Sequence, residues 1–188
     1  LVRDRGLRAT TDYDVLREAD AILIALPTPL SRQREPDLTI VRRATEQIAT
    51  RLRPGQLVVL ESTTYPGTTR DELLPILERG SGLVAGRDFH LAFSPERVDP
   101  GRTDHTTKTV PKVVGGINEA STEAAAALYS TSIETIHRVS TPEAAIRSTA
   151  PTQSTPAVRC STSSARRASA GVSGRPGAWG SSESTGPR

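Results

Sequence analysis

The sequence predicts an α/β fold: a partial Rossmann-like, doubly wound and mostly parallel sheet with helices on both faces, followed by a C-terminal tail outside it. Three observations carry this expectation. Short continuous apolar runs recur through residues 1–146, the pattern of strands covered on both faces. Amphipathic stretches of helical period separate them, which is the spacing of βαβ units. Every Leu, Ile, Phe and Tyr of the 188 residues lies before residue 147.

The first run is residues 20–26, Asp-Ala-Ile-Leu-Ile-Ala-Leu, stopped by Pro27-Thr28-Pro29. Asp37 offers an N-cap, and Ile40, Val41, Ala44, Ile48 and Leu52 recur on one helical face until Pro54-Gly55. Residues 56–62 form a second buried strand. Residues 66–79 predict a helix with Leu73, Leu74 and Leu77 on one side. Residues 88–94 and 112–116 predict a third and a fourth strand, and residues 119–129 an Ala-rich helix. Residues 133–139 predict a last strand, and Ser140-Thr141-Pro142-Glu143 has the cap, proline and acid of a helix start.

That helix should need at least two more turns, yet the pattern stops at residue 147. Fifteen of the last 42 residues are Ser or Thr, with no periodicity and little to bury. The tail, 147–188, is expected to be disordered. Its Ala/Arg/Ser/Gly/Pro mixture fits GC-rich codons translated out of frame, and a natural Ser/Arg-rich linker is the other reading. It holds six Arg against the single acid Glu183, so it carries +5 and leaves −2 for the first 146 residues. The basic balance of the whole chain therefore belongs to the tail. It does not indicate a nucleic-acid-binding fold, and no aromatics alternate with the arginines.

One cysteine, Cys160, excludes an internal disulfide and a thiolate metal cluster, which fits a reducing cytoplasm. His90, His105 and His137 have no metal-ligand spacing around them. No apolar run approaches the roughly 20 residues that span a bilayer. The opening Leu-Val-Arg-Asp-Arg has neither an initiator Met nor a signal-peptide core, so the true beginning is expected to lie upstream.

In a parallel α/β sheet, ligands sit outside the carboxyl ends of the strands, where three polar loops of this sequence fall. Pro27-Thr28-Pro29 presents a hydroxyl at a strand tip, or is simply a strand stop. Residues 61–69, Glu-Ser-Thr-Thr-Tyr-Pro-Gly-Thr-Thr, gather hydroxyls ahead of a helix N-terminus, whose free N–H groups favour a phosphate or a developing anion. Capping would explain Thr68 or Thr69 but not so many hydroxyls together. In residues 93–101, Phe-Ser-Pro-Glu-Arg-Val-Asp-Pro-Gly, Glu96 has the chemistry of a general base or water-orienting group. Arg97 suits phosphate or carboxylate. A surface loop with a local ion pair is the alternative.

Taken in order, these loops resemble the UDP-glucose/GDP-mannose dehydrogenase family, nearest the branch that oxidises UDP-N-acetyl-hexosamines at C6. The resemblance rests on residues 19–30, Pro36-Asp37-Leu38, residues 57–77, Ser94-Pro95-Glu96-Arg97-Val98-Asp99-Pro100-Gly101 and Lys112-Val113-Val114-Gly115-Gly116, and covers residues 1 to about 146. It implies NAD as cofactor, a UDP-sugar as substrate, and a homo-oligomeric parent enzyme of polysaccharide biosynthesis; no metal and no nucleic-acid or membrane partner are expected, from the residues above. It implies that Pro27, Thr28, Pro29, Ser62 and Thr63 line the cofactor, and that Thr63 also helps hold a catalytic water. By the same resemblance Glu96 assists thioester hydrolysis, and Glu96, Arg97 and Val98 contact the sugar nucleotide. The reaction implied takes a primary alcohol to a carboxylate in two hydride transfers through an enzyme-bound thiohemiacetal and thioester.

Two departures shape the expectation. A first βαβ unit with G-x-G-x-x-G and a ribose-binding acid would precede residue 1. After Ile146 the family pattern would continue to a catalytic Lys and Asn, a long dimerising helix, the nucleophilic Cys and a UDP-binding domain, none recognisable here. The chain reads as a dehydrogenase fragment without activity of its own. A non-catalytic module pairing with a full-length paralogue through open sheet edges is the alternative.

Overall fold

The computed structural model describes residues 7–30, 36–96 and 110–148. The chain divides into the units Leu1–Thr152 and Gln153–Arg188, and all described residues belong to the first. The expectations for the tail therefore lie outside the described residues, apart from Arg147 and Ser148.

Five strands form one sheet in the order β1 (Ala21–Ile24), β2 (Leu57–Leu60), β3 (His90–Phe93), β4 (Lys112–Gly116) and β5 (Ile136–Val139). β1, β2 and β3 run parallel, with Leu23 beside Val59 and Val59 beside Ala92. β4 runs against β3, pairing Ala92 with Gly116 and Phe93 with Gly115, and β5 is parallel to β4. Three of the four pairings are thus parallel, as the alternation of elements predicts. The reversal at β4 has no counterpart in the sequence pattern, because a continuous apolar run suits either direction. Its consequence is spatial: the amino end of β4 meets the carboxyl ends of β1–β3.

Alternation along each strand sends side chains to two cores. Ile22, Ile24, Val58, Leu60, Leu91, Phe93 and Val113 pack with Leu73, just ahead of α2, and with Val41, Ile48, Leu77 and Ala145 from the helices α1 (Thr39–Ala49), α2 (Leu74–Ser81) and α4 (Pro142–Arg147). Leu57, Val59, Ala92 and Val114 face the other way, onto Ala125 and Tyr129 of α3 (Glu119–Ser130). Leu77, Leu91 and Phe93 are almost fully buried, each stabilising the fold by about 1.5–3 kcal/mol through removal from water.

Local chemistry sets the helix ends. Asn118 caps α3 by accepting from Ser121 N at 2.9 Å, and Thr141 caps α4 by accepting from Ala144 N at 3.1 Å. Gly82 ends α2 at φ 72°, a left-handed position that glycine adopts without Cβ strain. Gly115 is required for another reason: a Cβ there would strike the carbonyl oxygen of Thr141, so α4 starts hard against β4.

Several expected boundaries move. α1 starts at Thr39 with Leu38 in the N-cap place, and Asp37 Oδ1 instead accepts from Thr39 N at 2.9 Å. The Thr39 side chain foremost, and then that backbone bond, hold the Asp37 carboxyl below its ordinary pKa. α1 also ends at Ala49, before Pro54-Gly55, and Ile40 is exposed. The stretch expected as one helix over 66–79 opens as a wider π-helical turn, Thr68–Leu73, before α2. The last strand begins at Ile136 rather than residue 133.

Candidate active site

β1 and β2 end side by side, and the loops leaving them are tied together. Glu61 N and Ser62 N both donate to Ile24 O, at 2.9 and 3.2 Å. Ser62 is buried, and its Oγ accepts from Leu26 N at 2.8 Å while lying 3.2 Å from Ile24 O, to which it donates. The Ser62 hydroxyl is therefore engaged with the chain itself. Thr28 Oγ1 donates to Thr63 O at 2.7 Å, closing the second link. Pro27 and Pro29 stay exposed on either side of Thr28, and Pro29 O accepts from Asp37 N at 2.8 Å. With φ fixed at two positions, the 27–29 loop leads into α1 on a short tether.

Beyond the ends of β2 and β3 lies a cavity of about 240 Å³ lined by Glu61, Thr63, Thr64, Phe93, Pro95, Glu96 and Ile146. Thr63 and Glu96 are exposed toward solvent, whereas Phe93 and Pro95 are buried. Thr64 Oγ1 is buried without a hydrogen-bond partner among the described residues, a state that costs about 1–3 kcal/mol unless a bound group satisfies it. Two of the three polar loops thus converge on one hollow, and the third, at 27–29, is bonded to its Thr63 wall. Arg97 and Val98 lie outside the described residues.

One group at this end is not apparent from the loops. Lys112, at the amino end of β4, is nearly buried and places Nζ 2.8 Å from Glu61 Oε1 and 4.6 Å from the centre of the Tyr129 ring. Tyr129 donates its hydroxyl to the same Glu61 oxygen at 2.7 Å. Burial foremost, then the bond to Glu61, pushes the Tyr129 phenol far above its ordinary pKa. Ser94, fully buried at the end of β3, donates to Val113 O at 2.9 Å. The available signal was parity: Glu61 follows Leu57 and Val59, and Lys112 precedes Val114, so each belongs to the α3 face. That signal becomes usable only once the direction of β4 is known.

Gly80-Ser81-Gly82-Leu83-Val84-Ala85 has the spacing of a dinucleotide fingerprint but spans the end of α2 instead of opening a helix after a strand. It therefore lacks the context of a phosphate cradle. Among the described residues no group of three or more His, Cys, Asp or Glu could hold a metal ion, and no helix is long and apolar enough to cross a membrane.

The fold and the strand-end loops define a Rossmann-like domain of the dehydrogenase type. The profile of the UDP-glucose/GDP-mannose dehydrogenase family, NAD binding domain, matches residues 1–133. The chain belongs to this family, and its cofactor is NAD. It is 39% identical over 140 residues to Protein CapL of Staphylococcus aureus, covering 74% of this chain and 33% of that one. It is likewise 39% identical over 112 residues to UDP-N-acetyl-D-glucosamine 6-dehydrogenase of Salmonella typhi, covering 60% and 26%. The crystal structure of NDP-N-acetyl-D-galactosaminuronic acid dehydrogenase from Methanosarcina mazei Go1 superposes with a TM-score of 0.67 at 39% identity, covering 73% of this chain and 30% of that chain. The chain thus spans about a third or less of the length of these relatives.

Proposed function

We propose that residues 1–146 form the nicotinamide-facing part of a nucleotide-sugar 6-dehydrogenase, which oxidises the C6 alcohol of a UDP-sugar to a carboxylate. The observation that carries this reading is the convergence of Thr63 and Glu96, from the ends of β2 and β3, on one cavity. Its volume of about 240 Å³ is below the roughly 300–1,000 Å³ typical of whole-ligand pockets, so it suits one ring-sized group. The residues present fit NAD: the partnerless Thr64 hydroxyl is available to a carboxamide, and the 27–29 loop is fastened beside it.

When bound, NAD supplies the hydride acceptor. Pro27, Thr28, Pro29 and Thr63 face it, while Ser62 fixes the loops that do so. Thr63 and Glu96 orient the water that converts the oxidised C6 to the acid, Glu96 accepting its proton. Arg97 and Val98 contact the sugar nucleotide. The net change consumes one water and two NAD per alcohol. The parent enzyme acts as a cytoplasmic homo-oligomer that makes sugar acids for polysaccharide.

The 188 residues by themselves do not turn over. The sequence carries no G-x-G-x-x-G in the required context, and its one thiol, Cys160, lies outside the family-like stretch. The test is NAD reduction by the purified chain with UDP-N-acetylglucosamine: no reduction is expected, and measurable turnover would overturn the claim.

A second reading, a module that pairs with a full-length dehydrogenase, is favoured by Leu23, which is 47% exposed on the edge strand β1. Co-purification of such an enzyme would support it; a chain that remains alone would sink it.

A further inference from the structure

The Glu61–Lys112–Tyr129 cluster has a geometry that the roles proposed above do not use. Glu61 lines the cavity two residues before Thr63. Its Oε1 receives both Lys112 Nζ and the Tyr129 hydroxyl, while its Oε2 meets no hydrogen-bond donor among the described residues. The side chains of Lys112 and Glu61 are only 10% and 18% exposed. A carboxylate so placed is fixed in orientation, because two donors on one oxygen from two different elements leave it little rotational freedom. A nearly buried ammonium is tolerated only when paired, and Lys112 has both a carboxylate and an aromatic face. The three residues come from the ends of β2 and α3 and the start of β4, so only the reversed direction of β4 brings Lys112 to this end of the sheet.

We propose that Glu61 is a further ligand-contacting residue of the cavity, accepting a hydrogen bond at Oε2 from a hydroxyl or amide donor of the bound molecule, with Lys112 and Tyr129 as the positioning residues that hold it there. The inference rests on the reading of the cavity as the cofactor and substrate site. An amide of the cofactor and a hydroxyl or amide of the sugar both supply that donor, so the two sources are separated by measurement.

The experiment is a binding titration of the full chain with NAD and, separately, with UDP-N-acetylglucosamine. The variants are Glu61→Ala, Lys112→Met, Lys112→Arg and Tyr129→Phe, each checked for folding by thermal melting. Backbone amide exchange at Ser62, Thr63 and Thr64 is followed alongside. Glu61→Ala is expected to weaken whichever probe supplies the donor by about ten- to a hundredfold, as for a charged hydrogen bond. Lys112→Met and Tyr129→Phe should weaken the same probe less and speed exchange at Ser62–Thr64. Lys112→Arg, which keeps the cation, should restore both. Wild-type affinity for both probes in Glu61→Ala, with the parent chain binding normally, overturns the inference and leaves the site reading standing. A parent chain that binds neither probe removes the site reading and the ligand contact with it. Unchanged amide exchange in a folded Lys112→Met removes the positioning role whatever the probes do.

Discussion

Replacing Ser62 by alanine separates a ligand-facing hydroxyl from one that builds the site. In the structure this hydroxyl is buried, accepts from Leu26 N at 2.8 Å and donates to Ile24 O at 3.2 Å. Alanine leaves the Leu26 N–H without its acceptor in a partly buried position. Losing the bond and leaving the donor unpaired costs about 2 kcal/mol, which for a chain of this size lowers Tm by roughly 4–8 °C. The cost falls on the link between the β1 and β2 loops, so the 27–29 loop should also loosen. Thr28→Val cuts the neighbouring bond to Thr63 O and should cost less, about 0.5–1.5 kcal/mol, because no buried donor is stranded. Calorimetry on both variants is the assay. A Ser62→Ala protein melting within about 1 °C of the parent would instead mark the hydroxyl as one reserved for a ligand, since such a group costs nothing to remove from the free chain.

Three further outcomes follow from the same contacts. Gly115→Ala places a Cβ against the Thr141 carbonyl and should destabilise by roughly 1–3 kcal/mol as the start of α4 is forced away; an unchanged urea midpoint would contradict this. Asp88 is held at about 2 by the bond from Arg87 and then by Val84 N–H, so its folded value lies below the unfolded one. Its contribution is present above about pH 4 and is lost as pH falls toward about 2. Asp88→Asn should flatten that part of the acid profile, and an identical profile would refute the assignment. Tyr129 is raised, so its contribution is complete below about pH 10 and is lost as pH climbs further. Chemical unfolding at alkaline pH should show this loss in the parent chain and not in Tyr129→Phe; parallel loss in both would count against it.

The strands were legible because each is a short apolar run between polar stops, and the structure keeps all five to within three residues at each end, β4 without any shift. The loops 27–29, 61–64 and 93–96 were legible because hydroxyls and a carboxylate interrupt those runs where a parallel sheet presents ligands. The direction of β4 was not, since Val113, Val114 and the glycines after them pack equally well either way. Lys112 was hidden for that reason, reading as the polar start of a strand. Asp37 deceived in a smaller way: its carboxylate bonds two residues ahead, to Thr39 N, as a turn residue does, and leaves the N-cap place to Leu38. The π-helical turn at Thr68–Leu73 left no mark in the periodicity, because Leu73, Leu74 and Leu77, which carry the helical spacing, lie at and beyond its end.

The ends of β1 and β2 are proposed above to form the nicotinamide-facing wall of an NAD site. Amide chemical-shift mapping of the chain with NAD tests it most directly. Shifts are expected to concentrate at Leu26, Thr28 and Glu61–Thr64, with the β5 edge unmoved. Shifts confined to other surfaces, or none at saturating NAD, would contradict it.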